Sequence, residues 1–484
     1  MAQPANSNTP LTLRRWLSRL ANSGRLAVAR PGVDLKYQLA AIAKHLDASK
    51  AVLFPHPGGH AIPIVSGFMA RREWIAEALG VSGPDLLKTF RGATENPLPW
   101  RELPADQAPC QQVVVRDIDM RTALPIPTHS EHDSAPYITA GVVIARNPAT
   151  GIQNVSINRI QVNSKDRMAA LLLPRHLHAF FQMAEKQGKP LPVAVVIGLD
   201  PLTMLASQAI TPIDYDELEI AGALHGAPLP VVKCITSDVR VPAQAEIVIE
   251  GHFLPNVREP EGPFGEFPKY YSAKENREVI QVDLITHRAN PIYHTIIPSE
   301  MEHLLLGAIP REATLLAHLQ RSFPDVRDVH LSVGGVCRYH LYVKLHKQHE
   351  GAPKNVICAA LGSHYDIKHV VVVDEDVDVH DPRQVEWAVA TRFQADRDLL
   401  VIAGAQGSTL DPSTTVASGA GAKHLPRHLQ GISAKMGLDA TRPVQYNEHV
   451  FTKVAIPGYD QVDLSTALAE GVDAEALKLF AQTP

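Results

Sequence analysis

The sequence predicts a mixed α/β protein in three regions, and three observations carry that reading. The first hundred residues mix helical and strand patterns. The middle is dominated by β-branched runs such as "ITAGVVIARN", "IQNVSINRIQV", "LPVVKCI", "AEIVIEGHF" and "EVIQVDLITH", each bounded by turn residues. From about residue 312 onward, strand patterns ("VHLSVGG", "YHLYVKL", "KHVVVVDEDV") alternate with helical ones. These shifts place the regions at 1–110, 111–311 and 312–484, the last ending in a partly irregular tail past 415.

Taken in order, "TPLTLRRWLSRLANSG" predicts an amphipathic helix with Leu13, Trp16, Leu17 and Leu20 on one side and a stop at Gly24. The Pro-rich "NPLPWRELPADQAP" (96–109) reads as a linker. Two helices interrupt the β-rich middle. One is expected from about Pro174 to Gly188, with proline at its start and glycine just past its end. The other is expected from near Asp214 to about Gly226.

Composition narrows the function. A chain of 484 residues, 45% hydrophobic and 20% charged, has the makeup of an ordinary globular protein. Forty-six basic against 51 acidic residues give a net charge of −5, which leaves no basic footprint for nucleic acid. The four cysteines, Cys110, Cys234, Cys337 and Cys358, lack CxxC spacing and suit a reducing compartment. "MAQPANSNTP" has no apolar signal core, and the longest apolar runs are too short to cross a bilayer. The expectation is a cytoplasmic protein, off the membrane, whose partners are small molecules or copies of itself.

The stretch that asks for chemistry is "EPEGPFGEFPKYY" (259–271), where Glu261 and Glu266 flank Gly262, Pro263 and Gly265. Glycine permits tight backbone and proline restricts it, so such a loop can hold two acids rigidly. Two nearby carboxylates split their pKa values, and a dry pocket raises one into the range of a proton donor. A solvated acidic turn is the plain alternative. Arg159 lies in "NVSINRIQV", where strand alternation sets Val155, Ile157 and Arg159 on one face and Ser156 and Asn158 on the other. An inward arginine there needs a counter-charge, from a substrate carboxylate or from one of the glutamates; an edge arginine reaching solvent is the alternative.

Asn154, His176 and Glu217 are candidate metal ligands, the latter two in the first turns of the two expected helices, or else capping and surface residues. "HSEHD" (129–133) is read as a solvated turn and "DEDVDVHD" (374–381) as a polar strand end without the glycine and glutamate of a calcium loop. "GAQGSTLDPS" (404–413) and "GAGAKH" (419–424) match neither a P-loop nor a dinucleotide fingerprint.

The segments "NVSINR", "PRHL", "DELEIAGAL", "LPVVKC", "VPAQAEIVIEG", "PEGPFGE" and "KMGLDATRP" occur in the order and spacing of the UbiD family of reversible decarboxylases, which this chain resembles from about residue 10 to 445. The resemblance implies an N-terminal α/β unit, a central flavin-binding split β-barrel and a C-terminal α/β dimerisation domain. It implies prenylated FMN held through a divalent metal (Mn2+ or Mg2+) and K+, with a flavin prenyltransferase as cofactor source and a homodimer or higher homo-oligomer as the assembly.

Carried over by motif, Arg159, Glu261 and Glu266 are the catalytic set, and Asn154, His176 and Glu217 the metal set. Asn154, Ser156, Ile157, Arg175, Ser207 and Lys233 become cofactor-binding positions, Lys233 as the phosphate-holding lysine; Arg175 stands where some relatives have glutamine. The wall opposite the flavin is expected in "IYHTIIPSEMEHLLLG" (292–307) and "QGSTLDP" (406–412), with Leu410 as a substrate contact and His294 as either a substrate contact or a histidine filling a strand position. Losing CO2 from an sp2 carbon leaves an electron pair that side chains stabilise poorly, so the implied cofactor accepts it in a covalent adduct and Glu266 then protonates the carbon. The substrates implied are a carboxylic acid and CO2. The "PSEMEH" segment resembles the aromatic and heteroaromatic acid branch; the alternatives are an α,β-unsaturated acid of the cinnamic type, a flavin-free metal-dependent hydrolase and a non-catalytic decarboxylase-complex subunit.

Overall fold

The computed structural model describes residues 10–416, 430–468, 471, 477 and 478; the "GAGAKH" stretch lies outside them. The chain divides into two compact units, up to Thr441 and from Arg442 onward. Within the second unit the described structure comprises the short helices Glu448–Phe451 and Leu464–Ala467 and a 3-10 turn, Tyr459–Gln461.

The larger unit opens with the helix Leu13–Asn22, capped by the Thr12 hydroxyl on the Arg15 N–H and buried through Leu13, Trp16, Leu17 and Leu20, the face expected from spacing. It packs beside a four-stranded sheet ordered Leu26–Val28, Ala51–Phe54, Ile64–Ser66 and Tyr293–His294. The last of these strands comes from far along the chain and pairs in parallel with Ile64–Ser66. The stretch 96–109 is not a plain linker: Arg101–Glu102 forms a strand parallel to Pro230–Lys233. Of the prolines in the stretch, Pro97, Pro99 and Pro104 flank this edge strand and keep it short.

The middle is a nine-stranded, wholly antiparallel sheet curled as a half-barrel. Its long members, Ile247–Glu261 and Glu275–His287, form a hairpin with Glu261 opposite Glu275 at the loop end. "NVSINRIQV" is two strands rather than one. Gln153–Ile157 pairs with Val142–Arg146, whereas Ile160–Val162 pairs with Tyr137–Ile138 and Arg167–Ala170. Asn158 and Arg159 form the break, so strand alternation does not govern where they point. The helices His176–Lys186 and Glu217–His225 fall where expected, the second ending at Gly226 with φ +67.

The third layer is a five-stranded mixed sheet ordered Val326–Leu331, His340–Leu345, His369–Asp374, Ile432–Ala440 and Leu399–Gln406. Its three central strands are parallel. The 22-residue helix Met301–Ser322 runs unbroken across position 311, where the sequence pattern divides the second region from the third. "DEDVDVHD" closes the strand His369–Asp374, and its Asp374 and Asp376 grip Arg392 at 2.6 and 2.8 Å.

Glu312, fully buried on the long helix, ties the first region to the third. Its carboxylate pairs with Arg72, accepts from the Leu331 N–H (2.8 Å) and contacts His330 Nδ1 (2.9 Å). Burial pushes this carboxyl up, but Arg72 and His330 outweigh it and hold it down at about 2 against an ordinary 4.5. Its contribution is therefore complete above the ordinary value and lost as pH falls from there towards 2. Glu312→Gln is expected to destabilise the fold by about 3 kcal/mol at neutral pH. Urea titrations should find that deficit shrinking in acid; an equal deficit at pH 7 and pH 3 contradicts the assignment.

Candidate active site

The turn that closes the long hairpin builds the centre of the site. Glu261 is the last residue of its strand, and the chain then reverses through Gly262 at φ +84. A Cβ there would sit 2.6 Å from the Ala273 carbonyl oxygen, so only glycine fits. Backbone ties pin the rest of the turn: Ser272 N–H donates to the Phe264 carbonyl (2.9 Å), Ser134 N–H to the Pro263 carbonyl (3.1 Å), and Gly265 N–H to Asp133 Oδ1 (3.0 Å).

Asp133 belongs to "HSEHD", which is solvated only at Glu131 and His132. Asp133 and His129 are buried, the latter against the Thr295 hydroxyl at 2.8 Å. Composition alone could not distinguish a polar turn facing water from one facing a buried loop that needs acceptors.

The loop delivers both glutamates to Arg159. Arg159 Nε and Nη2 donate to Glu261 Oε1 and Oε2 at 2.9 and 2.8 Å, a bidentate pair, while Nη1 donates to Glu266 Oε1. The break in the strand is what turns the guanidinium towards the loop, 5.3 Å over the Phe264 ring. Glu261 is wholly buried and also accepts from the Tyr137 hydroxyl at 3.1 Å. Tyr137 and Gln161 receive the Gly262 N–H at 3.1 and 3.0 Å, a support that no local sequence signal announces.

Burial raises the Glu266 carboxyl above the usual carboxylate range; Arg159 pulls it back, and Glu261 adds a like charge. Glu261 is thus the held acid and Glu266 the one poised to carry a proton.

Arg159 and Glu266 face a cavity of about 570 Å³ whose walls include Asn154, Ser156, Ile157, Arg175, His176, Ser207, Glu217 and Leu410. That volume lies within the ~300–1,000 Å³ typical of ligand pockets. Two expected residues are not brought there. Lys233 sits on the far strand end, half-exposed and paired with Asp238 at 2.6 Å, so its ammonium serves the surface. His294 is fully buried against Phe68, ring centroids 4.5 Å apart, and 3.4 Å from Glu302. Glu302 in turn accepts the Gly67 and Met69 N–H groups at 2.8 and 3.1 Å, which makes it a clamp on that loop. The histidine of this segment that lines the cavity is His303; it stands one helical turn into a pattern that reads equally well as core.

Asn154, His176 and Glu217 all line the cavity. Glu217 accepts the Val155 N–H at 2.7 Å and the Thr211 hydroxyl at 3.2 Å, and burial pushes it up to about 8 with no basic group offsetting it. A buried carboxyl in want of a counter-charge, on a cavity that an asparagine and a histidine also line, suits a hard cation. Among the described residues no cluster of three or more His, Cys, Asp or Glu is placed to hold a metal, and this set has only two of those types.

Residues 17–93, 101–301 and 304–440 match the N-terminal, Rift-related and C-terminal domains of 3-octaprenyl-4-hydroxybenzoate carboxy-lyase, UbiD. The chain belongs to the UbiD family.

Among solved structures, this UbiD-family chain is similar to the UbiD-class enzyme HmfF from Pelotomaculum thermopropionicum in complex with FMN. The TM-score is 0.90 and the identity 47%, over 95% of this chain and 100% of the other. It is 41% identical over 392 residues to the anhydromevalonate phosphate decarboxylase of Methanothermobacter thermautotrophicus, covering 79% of this chain and 86% of that one. It is 30% identical to the gallate decarboxylase of Lactiplantibacillus plantarum, over 87% and 93% of the respective chains. No described helix is long and apolar enough to cross a membrane.

Gly262→Ala is expected to destabilise the protein by about 1–3 kcal/mol through left-handed strain alone, and more through the clash. Differential scanning fluorimetry reads this directly; an unchanged melting temperature would show that the turn tolerates a side chain.

Proposed function

We propose that this UbiD-family carboxy-lyase acts on an aromatic or heteroaromatic carboxylic acid with prenylated FMN. The observation that carries the reading is the buried Arg159, held bidentately by Glu261 while its remaining edge reaches Glu266 in the cavity. Substrate carboxylate takes the Nη1 edge, where Glu266 now sits, and Glu261 keeps the guanidinium from turning. The cofactor, when bound, supplies the sink for the electron pair left by CO2. Glu266 then delivers its proton from the carboxyl oxygen to the carbon that lost CO2.

Asn154, His176 and Glu217 would hold a divalent cation, Mn2+ or Mg2+, with K+ beside it, and Ser156, Ile157, Arg175 and Ser207 the flavin. A flavin prenyltransferase supplies the cofactor, and the third region supports a homodimer. A second reading, an α,β-unsaturated aliphatic acid, is favoured by the 41% identity to a protein named anhydromevalonate phosphate decarboxylase. CO2 release by holo-protein from furan, pyrrole, indole, phenazine and benzoic acids, set against unsaturated aliphatic acids, separates the two.

Glu266→Gln should lower kcat by ~10²–10⁴-fold while the bound-flavin absorbance persists. Because its pKa is raised, wild-type Glu266 stays protonated to higher pH than a free carboxyl. Turnover should therefore fall as pH rises through that value, a limb absent from the variant. Undiminished turnover by Glu266→Gln would remove it from the role of proton donor.

A further inference from the structure

We propose that Tyr137, which lies behind the cavity wall, is a positioning residue that commits Arg159 to Glu261 and so keeps the remaining guanidinium edge open to a substrate carboxylate. The inference rests on the decarboxylase reading only for what that edge binds. Tyr137 and Glu261 are both wholly buried, so protein groups must satisfy their polar atoms. The question is where the single phenol proton goes.

Two oxygens could accept it, Gln161 Oε1 at 2.8 Å and Glu261 Oε1 at 3.1 Å. Gln161 Nε2 faces two acceptors, Asn163 Oδ1 at 2.7 Å and the Pro260 carbonyl at 3.2 Å, which fixes Oε1 on the side of Tyr137. That oxygen has two lone pairs, and the Ser134 hydroxyl (2.6 Å) and the Gly262 N–H (3.0 Å) fill them. The carboxylate, charged and with room for another donor, is therefore the acceptor left to the phenol. Burial, then the Glu261 charge, raises the Tyr137 hydroxyl, so the proton stays on the phenol and is donated.

Glu261 Oε1 then holds both Arg159 Nε and the phenol, while Oε2 holds Nη2. The fork is thus tied from behind. Glu266 is the rival for the same guanidinium, through Nη1. Without the hydroxyl, Oε1 keeps one donor fewer, Glu261 is free to swing, and Arg159 turns towards Glu266 and closes the edge that a substrate carboxylate needs. Packing does not depend on that hydroxyl: the Tyr137 ring lies 4.4 Å from the Phe264 ring, over which Arg159 sits at 5.3 Å, and a phenylalanine keeps both contacts.

The test is calorimetric titration of holo-protein, made by co-expression with a flavin prenyltransferase, with furan-2-carboxylate and benzoate. Tyr137→Phe should weaken acid binding roughly 10-fold, the weight of one hydrogen bond to a charged group, and leave the flavin spectrum unchanged. In a Glu266→Gln background no charge competes for Arg159, so adding Tyr137→Phe should change binding by less than about twofold. A merely structural role would weaken binding equally in both backgrounds. Ser134 is exposed, and Ser134→Ala frees a lone pair on Gln161 that draws the phenol proton away from Glu261. It should reproduce part of the loss, and it replaces Tyr137→Phe should that variant fail to fold.

Equal losses in the two backgrounds, undiminished binding by the variants, or loss of flavin from Tyr137→Phe overturns the role. Crystal structures decide it even if neither acid binds. In the variant that folds, Arg159 Nε should withdraw beyond ~3.5 Å from Glu261 Oε1, and an unchanged fork overturns the role. A loss confined to the Glu266 background, with no CO2 released from any acid by the wild type, would instead overturn the decarboxylase reading and leave the positioning role standing.

Discussion

One guanidinium shared by two buried glutamates is the constraint on which the site depends. Arg159 could not lie inside the half-barrel alone, since desolvating a lone cation is prohibitive, and neither could Glu261. Each makes the other's burial tolerable, and the geometry that satisfies both is narrow: a bidentate fork to Glu261 with a single remaining edge towards Glu266. Rigidity comes with that geometry, because Glu261 ends a long strand, Gly262 reverses the chain at once, and Tyr137, Gln161 and Asp133 hold the turn from outside. The asymmetry between the acids has the same origin. Glu261 spends both oxygens on Arg159, whereas Glu266 keeps the cavity in front of it and a pKa that burial has raised.

The long helix Met301–Ser322 plays the corresponding part for the fold. Glu302 near its start clamps the 67–69 backbone, Gly307 and Arg311 form cavity wall, and Glu312 joins Arg72 to His330. One element thus carries ties to the first and third regions on some faces and ligand-facing groups on another. A charge buried on such a helix either binds a neighbouring element or faces the cavity: Glu312 is matched by Arg72 and His330, while Arg311 pairs with Asp366 and lines the cavity.

Much of the fold and site is legible in the sequence wherever the governing force is local. The first helix comes from the spacing of Leu13, Trp16, Leu17 and Leu20, and the helix at 217–225 from its capping aspartate and terminal glycine. The pairing of Glu261 and Glu266 with Arg159 is legible from the glycine and proline between the acids together with the family motif. The failures are of another kind. The family motif puts Lys233, and the segment facing the expected flavin puts His294, at the site, yet a salt bridge to Asp238 and a packed aromatic neighbour claim them. "HSEHD" looks solvated in sequence because its partners, Gly265 and Thr295, lie more than a hundred residues away.

The sequence by itself determined the local conformations and the chemical types at the site: where helices start and stop, which turn demands glycine, which acids and which arginine are available. Those come from steric limits and periodicity that act within a few residues. Only the tertiary structure decided which charges are buried together and which are left over. Desolvation and ion pairing depend on every neighbour in space, so whether Glu266 holds a proton, whether Lys233 faces solvent and whether Glu312 is matched are properties of the packed chain and of no stretch within it.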